Sequence, residues 1–150
     1  MECLVYIAVF ALLLGGATTV FYYCWDHSDV LVYAADDITS ALHTGERWRA
    51  DVRAATGKIT VETTAIGEVA QIPEGAKKIT YRFESGEVRR QASASGNPQL
   101  LLANVKTSQM KMDTRGGVSA WRWELQLAPR RKETHLPLVF TFEAAAHAKP

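Results

Sequence analysis

Residues 4–23 read LVYIAVFALLLGGATTVFYY, and no charged residue occurs between Cys3 and Trp25. At a helical rise of about 1.5 Å per residue this stretch covers about 30 Å, the thickness of a bilayer hydrocarbon core. It therefore reads as a membrane-spanning helix, and whatever follows it is what the helix anchors. Tyr22, Tyr23 and Trp25 stand at its far end, where rings with one apolar and one polar edge favour the membrane–water boundary. Asp26 and Asp29 then end the apolar run. From Asp26 to Glu46 the chain carries Asp26, Asp29, Asp36 and Asp37 but no Lys or Arg. Cytoplasmic flanks are enriched in basic residues, so this flank reads as the outer side. The rival is a cleaved secretory signal with small residues at Gly15, Gly16 and Ala17. Against it stand the missing basic n-region and an apolar run that continues past that point to Trp25.

The 150 residues suffice for one anchor and one domain. A formal net charge of +1 implies no bulk attraction to nucleic acid or anionic lipid. The two cysteines, Cys3 and Cys24, would lie about 30 Å apart on one helix, far beyond the reach of a disulfide, and they offer no zinc spacing. Cys24, at the membrane boundary, could pair only between chains.

Past Trp25 the pattern turns amphipathic. Leu31, Ala34, Ala35, Ile38, Ala41, Leu42, Gly45, Trp48, Val52 and Ala55 recur at intervals of three and four, one face of a helix. No proline occurs before Pro73, acids lie early and Arg47, Arg49, Arg53 and Lys58 late, and Gly57 suits a C-terminal cap. The spacing predicts one helix from about Cys3 to about Thr56. Strands are expected at 58–64, 78–83, 87–92, 105–112, 120–127 and 136–143, with a hairpin turn at Glu84-Ser85-Gly86 and another at 129–132. The expected fold is α+β: a long N-terminal helix, half in the membrane and half amphipathic, packed on an antiparallel sheet. Its divisions are a transmembrane helix over 1–25, its amphipathic continuation over 26–57 and a β-sheet domain over 58–150.

This plan resembles that of type IV pilins and type II secretion pseudopilins. Locally, Glu2-Cys3-Leu4-Val5-Tyr6-Ile7-Ala8-Val9 resembles the start of a pilin methylation segment, with Glu2 at the family's glutamate and Met1 at the apolar residue before it. The family's basic leader, its cleavage-site residue and the first three mature residues have no counterpart here. The resemblance therefore implies an N-terminally truncated start, a leucine codon before Glu2 having been read as Met1. Residues 79–90, the run Leu100 to Asp113, and Trp121-Arg122-Trp123 are similar in texture to the larger minor pseudopilins of the J type.

The resemblance gives Glu2 the assembly role, meeting the N-terminal amine of a neighbouring subunit, since a carboxylate at the edge of an apolar helix is costly unless paired. It implies other pilin or pseudopilin subunits, an inner-membrane assembly platform and a prepilin peptidase as partners, and a bacterial inner-membrane location with the domain in the periplasm. Ala11, Gly15 and Thr19 form a small-residue ridge at intervals of four that would let membrane helices approach closely.

Chemistry is not expected. His27, His43, His135 and His147 form no ligand spacing, and neither a G-x-S-x-G nucleophile motif nor a glycine-rich phosphate loop occurs. No cofactor is implied, and too few carboxylates lie between Asn97 and Gly117 for a calcium loop. Arg130, Arg131 and Lys132 make a compact basic turn, with Arg89 and Arg90 a second. Both read first as solvated loops; Arg130, Arg131 and Lys132 are the candidate basic contact patch, which a DNA-uptake pilin, the third and weakest reading, would use, and the balanced charge does not favour nucleic acid. The expectation is a minor pilin-like structural subunit. The alternative is a single-pass anchored extracytoplasmic β-domain that binds a protein or ligand without entering a filament.

Overall fold

The computed structural model describes residues 2–64, 67–93, 96–115, 118–129 and 137–146. One helix, α1 (Glu2–Arg53), is followed by eight strands among the described residues: β1 (Thr60–Thr63), β2 (Gly67–Glu74), β3 (Lys77–Glu84), β4 (Glu87–Gln91), β5 (Gln99–Leu102), β6 (Val105–Arg115), β7 (Val118–Leu127) and β8 (Val139–Ala144). Two compact units are formed, Met1–Thr39 and Ser40–Pro150, with α1 contributing to both.

The first unit is helix alone. Its Val5–Trp25 stretch is long and apolar enough to cross a membrane. None of that stretch is buried, and Leu12 is 77% exposed. An apolar surface on that scale is stable only in contact with lipid or other protein. The hydroxyls within it are satisfied locally: Thr18 donates to the Leu14 carbonyl, and Thr19 to that of Gly15 at 2.9 Å. Lipid would offer them no other acceptor. Phe21 and Trp25 meet at 5.8 Å between ring centroids, one helical turn apart.

The second unit holds two antiparallel sheets rather than the single sheet expected: five strands in the order β1-β2-β3-β4-β5, and three in the order β6-β7-β8. Two strands lay outside the sequence expectation. In β2 the residues that point inward are Glu68, Ala70 and Ile72, so one buried position carries a carboxylate. A proline, Pro73, further masks the strand pattern. In β5 only four residues, Gln99–Leu102, are involved.

The last part of α1 packs on both sheets. Ala41, Thr44, Gly45, Trp48, Asp51, Val52 and Ala55 are buried, whereas Ala35, Ile38 and Leu42 from the expected stripe are exposed. Trp123 of β7 sits at the centre, fully buried, with ring centroids 5.5 Å from Trp48, 5.9 Å from Tyr81 and 6.0 Å from Phe142. Gly57 does not cap the helix, since it lacks the left-handed backbone a cap needs. Instead the Ala55 N–H closes back on the Val52 carbonyl at 3.3 Å, and the Thr56 N–H passes to the Pro73 carbonyl at 2.8 Å. The helix thus ends by handing its backbone to β2.

The β3–β4 hairpin turns through Ser85 (φ 53°) and Gly86 (φ 79°). Positive φ at both central residues is a type I′ turn, which suits the strand twist but disfavours serine. Replacing Ser85 by Asn is expected to stabilise the domain by about 0.5–1 kcal/mol, part of the left-handed penalty. A urea midpoint unchanged or lowered would contradict this turn geometry.

Candidate functional site

Two polar clusters lie inside the domain. In the first, Asp51 of α1 points at sheet residues Tyr81 and Arg90, which oppose each other across β3 and β4. Asp51 Oδ2 accepts from the Tyr81 hydroxyl at 2.5 Å and from Arg90 Nε at 2.7 Å, while Oδ1 accepts from Arg90 Nη2 at 3.0 Å. The carboxylate and guanidinium side chains are each only 12% exposed. Burial and the bond to Asp51 hold the Tyr81 phenol far above its ordinary range, so it stays a neutral donor. The same carboxylate pushes Arg90 further towards its charged form. The fork-on-fork pair is the strongest geometry available to these groups. Three hydrogen bonds within the trio tie the helix to the sheet.

In the second cluster, Glu68 of β2 reaches the three-stranded sheet. Its two carboxylate oxygens accept the Met110 N–H of β6 at 3.1 and 3.0 Å. Burial pushes the Glu68 carboxyl above the ordinary carboxylate range, and the Met110 N–H and nearby Lys111 only partly offset this. The native state therefore holds its proton to higher pH than the unfolded chain does. By linkage, Glu68 makes the domain less stable as pH rises from about 4.3 through its raised native value. Glu68→Gln keeps an acceptor for Met110, so its stability relative to wild type should grow as pH rises from 4 to 7. Glu68→Ala orphans that N–H and should cost about 1–2 kcal/mol. Urea melts across this pH window check both, and a pH-independent difference for the glutamine variant would refute the assignment.

Glu2 is the first described residue of α1. Ala11, Gly15 and Thr19 lie on α1 with their surfaces exposed, and an added Cβ at Gly15 would meet nothing within 4 Å. Cys3 and Cys24 are exposed and unbonded to each other. Arg130, Arg131 and Lys132 lie outside the described residues, as do His135 and His147. Arg89 and Arg90 do not form a solvated turn. They lie on β4, where Arg89 faces out and Arg90 faces in to Asp51. Among the described residues, no group of three His, Cys, Asp or Glu side chains could hold a metal.

Asp51, Tyr81, Arg90 and Glu68 were not anticipated. Phase alone signals them: Asp51 lies on the buried stripe beside Trp48 and Val52, and Glu68 alternates with Ala70 and Ile72. Comparison of the chain with protein-family models, curated proteins and solved structures returns no match.

Proposed function

We propose that this chain is a minor pilin- or pseudopilin-like structural subunit, held in a bacterial inner membrane with its β-domain on the periplasmic side, and not an enzyme. The observation that carries the reading is one unbroken helix, Glu2–Arg53, whose apolar first part is wholly exposed and whose last part is buried against antiparallel strands. A simple anchor needs only the first part. A helix that also forms the spine of the domain transmits force applied to either, as a filament subunit requires. The two polar clusters are internal ties, which suits mechanical rather than chemical work. Partners would be other pilin-like subunits, an assembly platform in the membrane and, for a longer natural chain, a prepilin peptidase.

The acidic flank after Trp25 supports the outward orientation. Glu2 would pair with a neighbouring subunit's amine, and the ridge of Ala11, Gly15 and Thr19 would admit close helix approach. The test is fractionation of native cells. Wild type is expected in both the membrane and the sheared-filament fraction, carrying a methylated N-terminal residue by mass spectrometry. Glu2→Ala should remain in the membrane and fall at least tenfold in the filament fraction. Wild type confined to the membrane, with an unmodified N-terminus, would leave the anchored β-domain that binds a protein or ligand.

A further inference from the structure

The outward face of the five-stranded sheet has a charge pattern that the fold uses only in part. On β3 and β4 the outward residues pair directly across the strands as Thr80 with Gln91, Arg82 with Arg89, and Glu84 with Glu87. Like charges directly opposite each other on a sheet oppose folding, and here two consecutive rows are like-charged, one doubly positive and one doubly negative. The rows stand about 7 Å apart, two residues along the strand. Arg89 is held along its own strand by Glu87, at 2.6 and 2.9 Å. Arg82 and Glu84 have no ion pair or hydrogen bond among the described residues. These side chains line a shallow groove of about 350 Å³. Val69 lies opposite Arg82, and Leu100, 47% exposed, lies opposite Arg89, so the arginine row has an apolar residue at each end.

A small anion drawn to Arg82 and Arg89 would meet Glu84 and Glu87 one row away, and a small cation would meet the reverse. The complement must carry both signs in rows at the same spacing. The face itself does. A two-fold axis parallel to the rows and midway between them lays each glutamate row on the arginine row of a second copy. This is the self-complementary arrangement an isologous interface needs.

We propose that the outer face of the five-stranded sheet is an interface between two copies of this chain, with Glu84 and Glu87 of each copy seated on Arg82 and Arg89 of the other. The face measures about 20 Å across five strands, or on the order of 400 Å² per copy, about half a standard interface. It is therefore weak in free solution and relies on both chains sharing one membrane, which raises their effective concentration. This goes beyond the filament reading and does not depend on it.

The test uses the full chain in phosphatidylcholine vesicles, carrying donor and acceptor dyes at the C-terminus. Three preparations are compared at 50 mM and 500 mM salt: wild type, R82E/R89E and E84R/E87R. Association through the membrane helix is common to all of them and cancels in the comparison. Wild type should show energy transfer that weakens at high salt. Each reversed chain alone should lose about tenfold in apparent affinity, and a one-to-one mixture of the two should regain it. Circular dichroism of the strands confirms that the variants fold. The neutral chain R82Q/R89Q, expected to weaken association about threefold with no rescue partner, serves if a reversed chain does not fold. Wild-type transfer insensitive to salt and to all these substitutions overturns the proposal. So does a mixture that stays as weak as its folded components, which would point to a different protein bearing the opposite pattern.

Discussion

Asp51→Ala is expected to cost the domain about 3–5 kcal/mol, the penalty for breaking a buried ion pair from one side. The substitution strands the Arg90 guanidinium, 12% exposed, and removes the acceptor of the Tyr81 hydroxyl, which belongs to a residue 1% exposed. Domains of this size are stable by about 5–15 kcal/mol, so the loss takes about a fifth of the total or more. The reciprocal substitution separates the charge from the packing. Arg90→Met leaves the Asp51 carboxylate buried with one phenolic donor and should also destabilise by several kcal/mol. The triple variant Asp51→Leu, Tyr81→Phe, Arg90→Met replaces the network by apolar groups of similar volume and should recover most of the loss. Urea titrations of the full chain in detergent, read by the core tryptophans, measure all three. A triple variant as unstable as the single ones would mean that shape, not desolvated charge, sets the cost.

That trio marks where the sequence stopped being legible. The long helix was readable because its two halves announce themselves by different signals: an uncharged run from Cys3 to Trp25, then apolar residues at three- and four-residue spacing. Strands with alternating apolar residues, such as Trp121, Trp123, Leu125 and Leu127, were readable for the same reason. Periodicity reports only what hydrophobicity distinguishes. Asp51 and Glu68 occupy buried phases with charged side chains, so their positions read as solvent-facing. Arg89 and Arg90 looked equivalent as neighbours, yet a strand turns adjacent residues to opposite faces and gives one to solvent and one to the core. The division into two sheets was invisible because pairing partners are set by tertiary contact: β5 and β6 are separated only by Ala103 and Asn104, and Asn104 adopts φ 57°. An isolated asparagine in the left-handed region is a local signal compatible with many turns. Glu2 and the ridge of Ala11, Gly15 and Thr19 are a different case. Their proposed partners belong to other chains, so a single chain leaves them exposed or at its end.

Gly45→Ala tests the packing of helix against the three-stranded sheet more directly than any large-to-small change. In an exposed helix this substitution stabilises by about 1 kcal/mol, because alanine loses less backbone entropy than glycine. Here the sign reverses. An added Cβ would overlap Cε1, Cζ and Cδ1 of the Phe142 ring. Phe142 has little room to retreat. It is 3% exposed, its ring centroid lies 6.0 Å from that of Trp123, and Phe140 stacks on it at 6.4 Å. The Arg49 guanidinium covers the ring at 5.4 Å from its centroid. Relief requires moving β8 or tilting α1, and overpacking of this kind costs about 1–3 kcal/mol, more when the backbone must shift. A net loss of about 2 kcal/mol is expected after the gain in helix propensity. Gly45→Val should lose more, since it adds two γ-methyls beside a Cβ that already overlaps the ring. Gly15→Ala and Gly16→Ala serve as internal references, since an added Cβ at either meets nothing within 4 Å, and the domain's melting should not register them. The coupling is checked by Phe142→Leu. That change alone creates a void and destabilises, but with Gly45→Ala it makes room, so the double variant should be more stable than the sum of the singles implies. Additive effects, or a Gly45→Ala chain at least as stable as wild type, would show that Phe142 does not rest on the helix at Gly45, leaving Trp48 and Asp51 as its ties to the sheets.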